Sequence, residues 1–191
     1  KVNNVSFEAH AGEITCIAGI DNNGQSEMVL ALAGMIESKG EISLNGKRIT
    51  GKGIRYRNTH GVSHIPEDRH KHGLVLDFNL DENMILQTYF TPEFSSHGFL
   101  RAKAIEGYAE EMIREYDIRC ANGTLTNVRS MSGGNQQKVS IGKWLLAGSD
   151  ILIIDEPTVG VDVGVKRHIH EIIWKLAREE GKTIILISSD M

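Results

Sequence analysis

Cysteine, proline and aromatic residues are scarce in this 191-residue chain, with two Cys, three Pro, and Phe, Trp and Tyr together at 6%. Cys16 and Cys120 stand far apart and lack the paired spacing of metal ligands. That excludes a disulfide framework or a metal knuckle, and both read as small free thiols. No apolar stretch approaches the ~18–20 residues needed to cross a bilayer, and the charged start has no secretory core. Nor is there an excess of basic charge, since 21 Lys and Arg against 25 Asp and Glu leave a formal net charge of −4. A phosphate-backbone partner needs a basic field, so no nucleic acid is expected. Repeats, low-complexity tracts and linkers are missing too. What remains is an ordinary globular composition, 40% hydrophobic, enough for one core with an added subdomain.

The first third alternates short apolar runs with turns. Val5 to Phe7, Ile14 to Ile17 and Glu41 to Leu44 read as strands, and Asn45-Gly46 is a hairpin signal. Met28 to Ile36 reads as a short buried helix, giving the order strand, loop, helix of an α/β domain. From about Asp77 to Val128 the texture changes. Ile105, Tyr108, Ala109, Met112, Ile113 and Tyr116 fall on one helix face, which predicts a small helical subdomain. The α/β texture then returns. Ile151 to Ile154 reads as a buried strand, and Ile169, Ile172, Ile173, Leu176 and Ala177 form a helical stripe ended near Gly181. Thr183 to Ile187 has the aliphatic continuity of a strand covered on both faces in a parallel sheet.

Two segments carry the strongest chemical signal. Ser132-Gly133-Gly134-Asn135-Gln136-Gln137-Lys138 opens a helical run, where small residues let backbone N–H groups and the helix dipole meet an anion. Asp155-Glu156-Pro157-Thr158 leaves the carboxyl end of an aliphatic strand. There Asp155 is placed to hold Mg²⁺ and Glu156 to orient or deprotonate an attacking water. Either segment alone reads equally well as a helix cap or a strand-ending turn. Together, in this order, they resemble the signature and Walker B motifs of the ATP-binding cassette family. Val159-Gly160-Val161-Asp162 matches that family's D-loop, although Asp162 also reads simply as a helix N-cap.

The phosphate loop is anomalous. After the strand Ile14 to Ile17 comes Gly19-Ile20-Asp21-Asn22-Asn23-Gly24-Gln25-Ser26-Glu27, where a Walker A loop reads G-x-x-G-x-G-K-S-T. Gly19, Gly24 and Ser26 persist, the last with a hydroxyl suited to Mg²⁺, and Asn23 lies within the loop. Asn22 stands for Gly, Gln25 for the phosphate-binding Lys, and Glu27 for Thr. Exchanging an ammonium for an amide removes a contact of about 1.5–3 kcal/mol. Glu27 adds repulsion of up to ~3 kcal/mol at ~6 Å and an effective dielectric of ~20, before salt screening.

The resemblance spans essentially the whole chain. Asn-Gly-Gln-Ser-Glu, Ile-Pro-Glu-Asp-Arg and Ser-Gly-Gly-Asn-Gln-Gln-Lys look like the second nucleotide-binding half of fused ATPases serving bacterial ribose, galactose and xylose importers. His70-Lys71-His72-Gly73-Leu74 onward looks like the nucleoside-importer branch. The resemblance implies a P-loop α/β core, a mostly parallel sheet flanked by helices with N-terminal antiparallel strands, and an inserted helical subdomain. Residues 1–78 and 139–191 are expected to form the core and 79–138 the subdomain. It implies ATP and Mg²⁺ as cofactors, with Ser26, Asp155 and Glu67 reaching the metal. Glu67 occupies the Q-loop position and Ser189 the position of the switch histidine, both departures from the family pattern. A serine supplies no ring nitrogen for a γ-phosphate.

In the family two cassettes face head to tail, so Ser132, Gly133, Gly134, Asn135 and Gln136 are expected to complete a companion cassette's site in trans. The implied partners are that companion, fused upstream, integral permease subunits, and indirectly a periplasmic or lipoprotein solute-binding protein. The implied location is the cytoplasmic face of the bacterial membrane, bound peripherally, with residues 67 to about 82 facing the permease. A catalytically silent regulatory or scaffolding cassette is the alternative. The chain opens at Lys1 without an initiator Met, so it reads as a piece of a longer polypeptide whose adenine-stacking aromatic residue precedes it. His70 and His72 read as a solvated loop, and His168 and His170, two apart on a helix, point to different faces.

Overall fold

The structure is a computed structural model that describes residues 2–19, 23–145 and 148–189. It divides into two compact units, Lys1–Glu67 with Gly148–Val159 and Arg167–Met191, and Asp68–Ala147 with Gly160–Lys166.

The first unit holds a four-stranded parallel sheet made of β1 (Ile14–Ala18), β4 (Val62–Ile65), β7 (Ile151–Asp155) and β8 (Thr183–Ser188), in the order β1-β8-β7-β4. The two aliphatic runs expected to be buried strands, β7 and β8, are the central pair. β7 and β8 pair in register from Ile151↔Thr183 to Asp155↔Ile187, and β8 is buried along its whole length. Continuous Ile and Leu suits strands covered on both faces, and each fully buried aliphatic side chain contributes about 1.5–3 kcal/mol. Helix α1 (Gln25–Ala33) lays Val29 on one face of the sheet, against Val62, Ile153, Ile185 and Ile187. Helix α6 (Val163–Arg178) buries Ile169, Ile173, Leu176 and Ala177, the expected stripe, with Ile172 half-buried.

Antiparallel pairing is confined in this unit to the hairpin β2 (Ser43–Leu44) and β3 (Lys47–Arg48), among the described residues. Its turn is the Asn45-Gly46 pair, with φ of 49° and 74°, the left-handed conformations that this dipeptide supplies in two-residue hairpins. Two sequence expectations are corrected. Val5 to Phe7 joins no ladder among the described residues and lies exposed, since neither outer strand of the sheet, β1 or β4, takes it as a partner and a strand-like composition does not supply one. The helix read over Met28 to Ile36 begins three residues earlier and stops at Gly34, whose φ of 78° caps it and leaves Met35 and Ile36 exposed.

The second unit is helical. α3 (Leu80–Met84) starts with a capping box formed by Asn79 and Glu82, and α4 (Ala102–Glu115) buries Ile105, Ala109 and Met112. Phe94 packs edge-on to Tyr108 with centroids 4.9 Å apart. α5 (Gly133–Leu145) lies wholly within this unit, which also takes in the π-helical turn Arg69–Gly73, so its limits fall outside the 79–138 expected from sequence. The reason is a set of bonds that bind the two. Lys143, with 1% of its surface exposed, donates its Nζ hydrogen to the Gly73 carbonyl, and His70 bonds Gln136. Between them, β5 (Ser95–Ser96) and β6 (Phe99–Leu100) form a second short hairpin. Among the described residues, no helix is long and apolar enough to cross a membrane.

Burial lowers the Lys143 ammonium from 10.5 to about 8. Between those values the unfolded chain binds more protons than the folded one, so stability rises with pH across that window. Chemical denaturation from pH 8 to 10.5 is expected to show a gain on the order of 1–3 kcal/mol, absent in Lys143→Met.

Candidate functional site

Parallel register brings four strand ends to one edge of the sheet. Ala18 of β1 pairs with Ser188 of β8, Asp155 of β7 with Ile187, and Ile65 of β4 with Ile154. The segments leaving those ends are Gly19 onward, Ser189, Glu156 and Glu67, the positions that the sequence marked. Open α/β sheets bind ligands at this carboxyl edge.

The loop after β1 reaches α1 through Gly24, whose φ of 99° is left-handed and whose carbonyl accepts the Met28 N–H at 3.1 Å. A Cβ at Gly24 would lie 2.7 Å from Val2 Cγ2, so both backbone and space require glycine. A Cβ at Gly19 would lie 2.2 Å from Gln25 Nε2, so the Gln25 amide folds back over the start of the loop. Asn23, Ser26 and Glu27 are exposed, the last two in the first turn of α1, where a carboxylate suits the positive helix end. Asn22 lies outside the described residues.

The carboxylate pair is buried. Desolvation raises the Asp155 carboxyl to about 6, with the neighbouring carboxylates of Glu67 and Glu156 adding to the shift. Glu156 takes φ 43°, a left-handed conformation costly for a residue with a side chain. It is held there from both ends. Its N–H donates to the Ile187 carbonyl at 3.1 Å, and its Oε1 accepts the main-chain N–H of Ser189 at 2.5 Å. Its Oε2 is buried with no partner among the described residues. Two adjacent buried carboxyls, one with an orphaned oxygen, are the donor set a hard cation takes. No three His, Cys, Asp or Glu side chains converge as a metal cage among the described residues.

The second unit carries the glycine-rich helix tip. Ser132 is exposed just before α5, and its Oγ accepts from Asn135 Nδ2 at 2.9 Å and, more weakly, from Asn135 N at 3.4 Å. Gly134 is forced by packing, since a Cβ there would lie 2.9 Å from Val165 Cγ2. Gly133 approaches Arg69, whose guanidinium nitrogen would be 3.2 Å from a Cβ at 133 and 3.8 Å from one at Gly160. Asp162 caps α6 through the Val165 N–H at 3.0 Å.

Gln136 does not join Ser132 and Gly133 at the tip. It is buried, donating to the Val128 carbonyl at 3.0 Å, with its Oε1 2.8 Å from His70 Nε2. His70, read from sequence as a solvated loop residue, thus has a structural bond. It sits in a turn capped by Asp68, whose carboxyl is held below its usual range mainly by the Lys71 N–H. The Arg69 placement and the His70 bond were missed, since nothing in their spacing marks a contact with residues 64 or more positions away.

With this geometry in hand, comparison with known proteins gives the class. The ABC transporter family model matches residues 2–159, and the chain belongs to that family. More particularly, it is 43% identical over its full length to the nucleoside import ATP-binding protein NupA of Lactococcus lactis, of which it covers 38%. It is 42% identical to the guanosine import ATP-binding protein NupO of Bacillus subtilis, covering 100% of this chain and 37% of NupO. The ribose import ATP-binding protein RbsA of Oceanobacillus iheyensis is 40% identical over 99% of this chain and 38% of its own length. The chain therefore spans a little over a third of the relatives it matches. Among solved structures, the dimeric post-hydrolysis state of the ATP-binding cassette MJ0796 bound to ADP and Pi superposes with a TM-score of 0.82. The identity is 22%, covering 99% of this chain and 80% of that one, and the likeness shows the fold.

Because the folded Asp155 carboxyl titrates at about 6 and not at 3.8, the folded state holds more protons between those values. Stability of the nucleotide-free chain therefore falls as pH rises through that window. Asp155→Asn is expected to stabilise it at pH 7 by on the order of 1–3 kcal/mol in thermal or chemical denaturation, the gain vanishing below about pH 4.

Proposed function

We propose that this chain is the nucleotide-binding domain of a bacterial importer ATPase that couples ATP binding and hydrolysis to uptake of a nucleoside or sugar. The observation that carries the reading is the buried Asp155–Glu156 pair at the carboxyl end of β7, aligned with the glycine loop leaving β1. Asp155 would hold Mg²⁺, with Ser26 and Glu67 as further oxygen donors, and the metal would supply charge neutralisation for the phosphates. Glu156 would act as the base. Its Oε1 is fixed by the Ser189 N–H, which leaves Oε2 to orient water. The relatives are named for nucleoside, guanosine and ribose import, which supports that range of solutes.

In this reading the chain's own loop is handicapped. Gln25 lacks the ammonium that phosphates attract, Glu27 adds negative charge beside them, and Ser189 has no imidazole. Ser132, Gly133 and Gly134 complete a companion cassette's site, with Gln136 supporting them from inside the helix. The partners are that cassette and the permease subunits, at the cytoplasmic face of the membrane. A second reading, a silent scaffolding cassette, draws on the same Gln25 and Ser189.

Gly133→Asp in the intact ATPase is expected to suppress hydrolysis at least tenfold through charge repulsion at the helix tip. Unchanged steady-state turnover would refute the trans assignment. In this chain, Gln25→Lys is expected to tighten ATP binding about ten- to a hundredfold in titration calorimetry. No gain would favour the scaffold.

A further inference from the structure

We propose that Asn135 is a positioning residue that fixes the Ser132 hydroxyl as a hydrogen-bond donor facing out of the signature tip. The inference rests on the reading of residues 132–134 as a phosphate-binding tip. It changes the part given to Asn135, from a group that touches phosphate to one that acts through its neighbour.

The argument follows the direction of each hydrogen bond. The main-chain N–H of Arg119 lies 2.9 Å from Asn135 Oδ1. A backbone N–H only donates, so that amide atom must be the oxygen. A flipped amide would set donor against donor. With Oδ1 fixed on Arg119, Nδ2 faces Ser132 Oγ at 2.9 Å, and there it only donates. The Asn135 N–H also faces Oγ, at 3.4 Å. Both neighbours of the hydroxyl oxygen on the helix side are therefore donors, and the Ser132 hydrogen must point elsewhere. Among the described residues, no acceptor for it lies within bonding distance.

The chain of bonds thus has one polarity, Arg119 N–H to Asn135, Asn135 to Ser132, and Ser132 outward. Its last member is an exposed hydroxyl beside the helix N–H groups that lack intrahelical partners. A serine free to rotate would meet an anion with its lone pairs part of the time. This one presents hydrogen only, which fits an acceptor-only group such as an ionised phosphate oxygen and discriminates against a donor. No orientation has to be selected when the phosphate arrives.

A double-mutant cycle in the intact ATPase tests the inference through kcat/KM for ATP. Ser132→Ala is expected to lower it about tenfold or more, the size of one charge-assisted contact. Asn135→Asp keeps an acceptor for Arg119 and the same shape, so the fold is retained, which melting curves verify. Its carboxylate captures the Ser132 hydrogen and turns the hydroxyl round, so it should cost at least as much. On a Ser132→Ala background no hydroxyl is left to turn, and Asn135→Asp should cost at least fivefold less. Plain charge repulsion acts alike on both backgrounds and cancels in the cycle. Penalties that multiply independently would overturn the proposal. If Gly133→Asp meanwhile suppresses turnover, the tip reading survives and only the positioning role fails. If Gly133→Asp is silent, the tip reading itself fails.

Discussion

Parallel pairing of β1, β8, β7 and β4 is the constraint on which the first unit depends. In a parallel sheet all strands end on the same side, so one ladder places the glycine loop, the carboxylate pair, Glu67 and Ser189 along a single edge. Register matters as much as direction. A slip of one residue in β7 would send Asp155 to the opposite face and turn its alternating aliphatic side chains with it. The core contacts of Val29 with Ile153, Ile185 and Ile187 hold that register, so packing far from the edge determines where the acids stand.

Acidic side chains crowd that edge. Glu67 and Glu156 act on the Asp155 carboxyl, and the position where the family pattern has a lysine holds Gln25. The raised Asp155 carboxyl is the local sign of this crowding and of burial together. In the proposed reading, a polyphosphate brought to such an edge would depend on its accompanying cation more than on the protein's own side chains. The second unit differs. Its tip gathers main-chain N–H groups and the Ser132 hydroxyl, with the Arg69 guanidinium close to Gly133. In the proposed reading the chain gives more to a site shared with a companion than to its own.

Much of this was legible in the sequence, because period and continuity report on burial. The Ile runs of β7 and β8, the Ile105–Ala109–Met112 face of α4 and the Asn45-Gly46 turn stand where the pattern placed them. Val5 to Phe7 has the composition of a strand but pairs with neither outer strand of the sheet, and composition does not report on partners. The limits of the helical unit were missed for a related reason. Lys143 and Gln136 are polar residues of α5, yet both are buried and bonded to the Arg69–Gly73 turn. The motif residues were identifiable by type and spacing, but the direction in which Asn135 and Gln136 point was not. It is set by a backbone N–H at Arg119 and a backbone carbonyl at Val128, groups that every residue carries and that leave no trace in a sequence.

The grip on Glu156 has an evolutionary corollary. Its Oε1 is bound by the main chain of residue 189 and not by that residue's side chain. Position 189 can therefore exchange one side chain for another without letting go of the acid, provided it does not become proline, which has no N–H to give. Exchange of the side chain there changes what position 189 offers to the site while leaving the carboxylate anchored, so a lineage could alter the two separately.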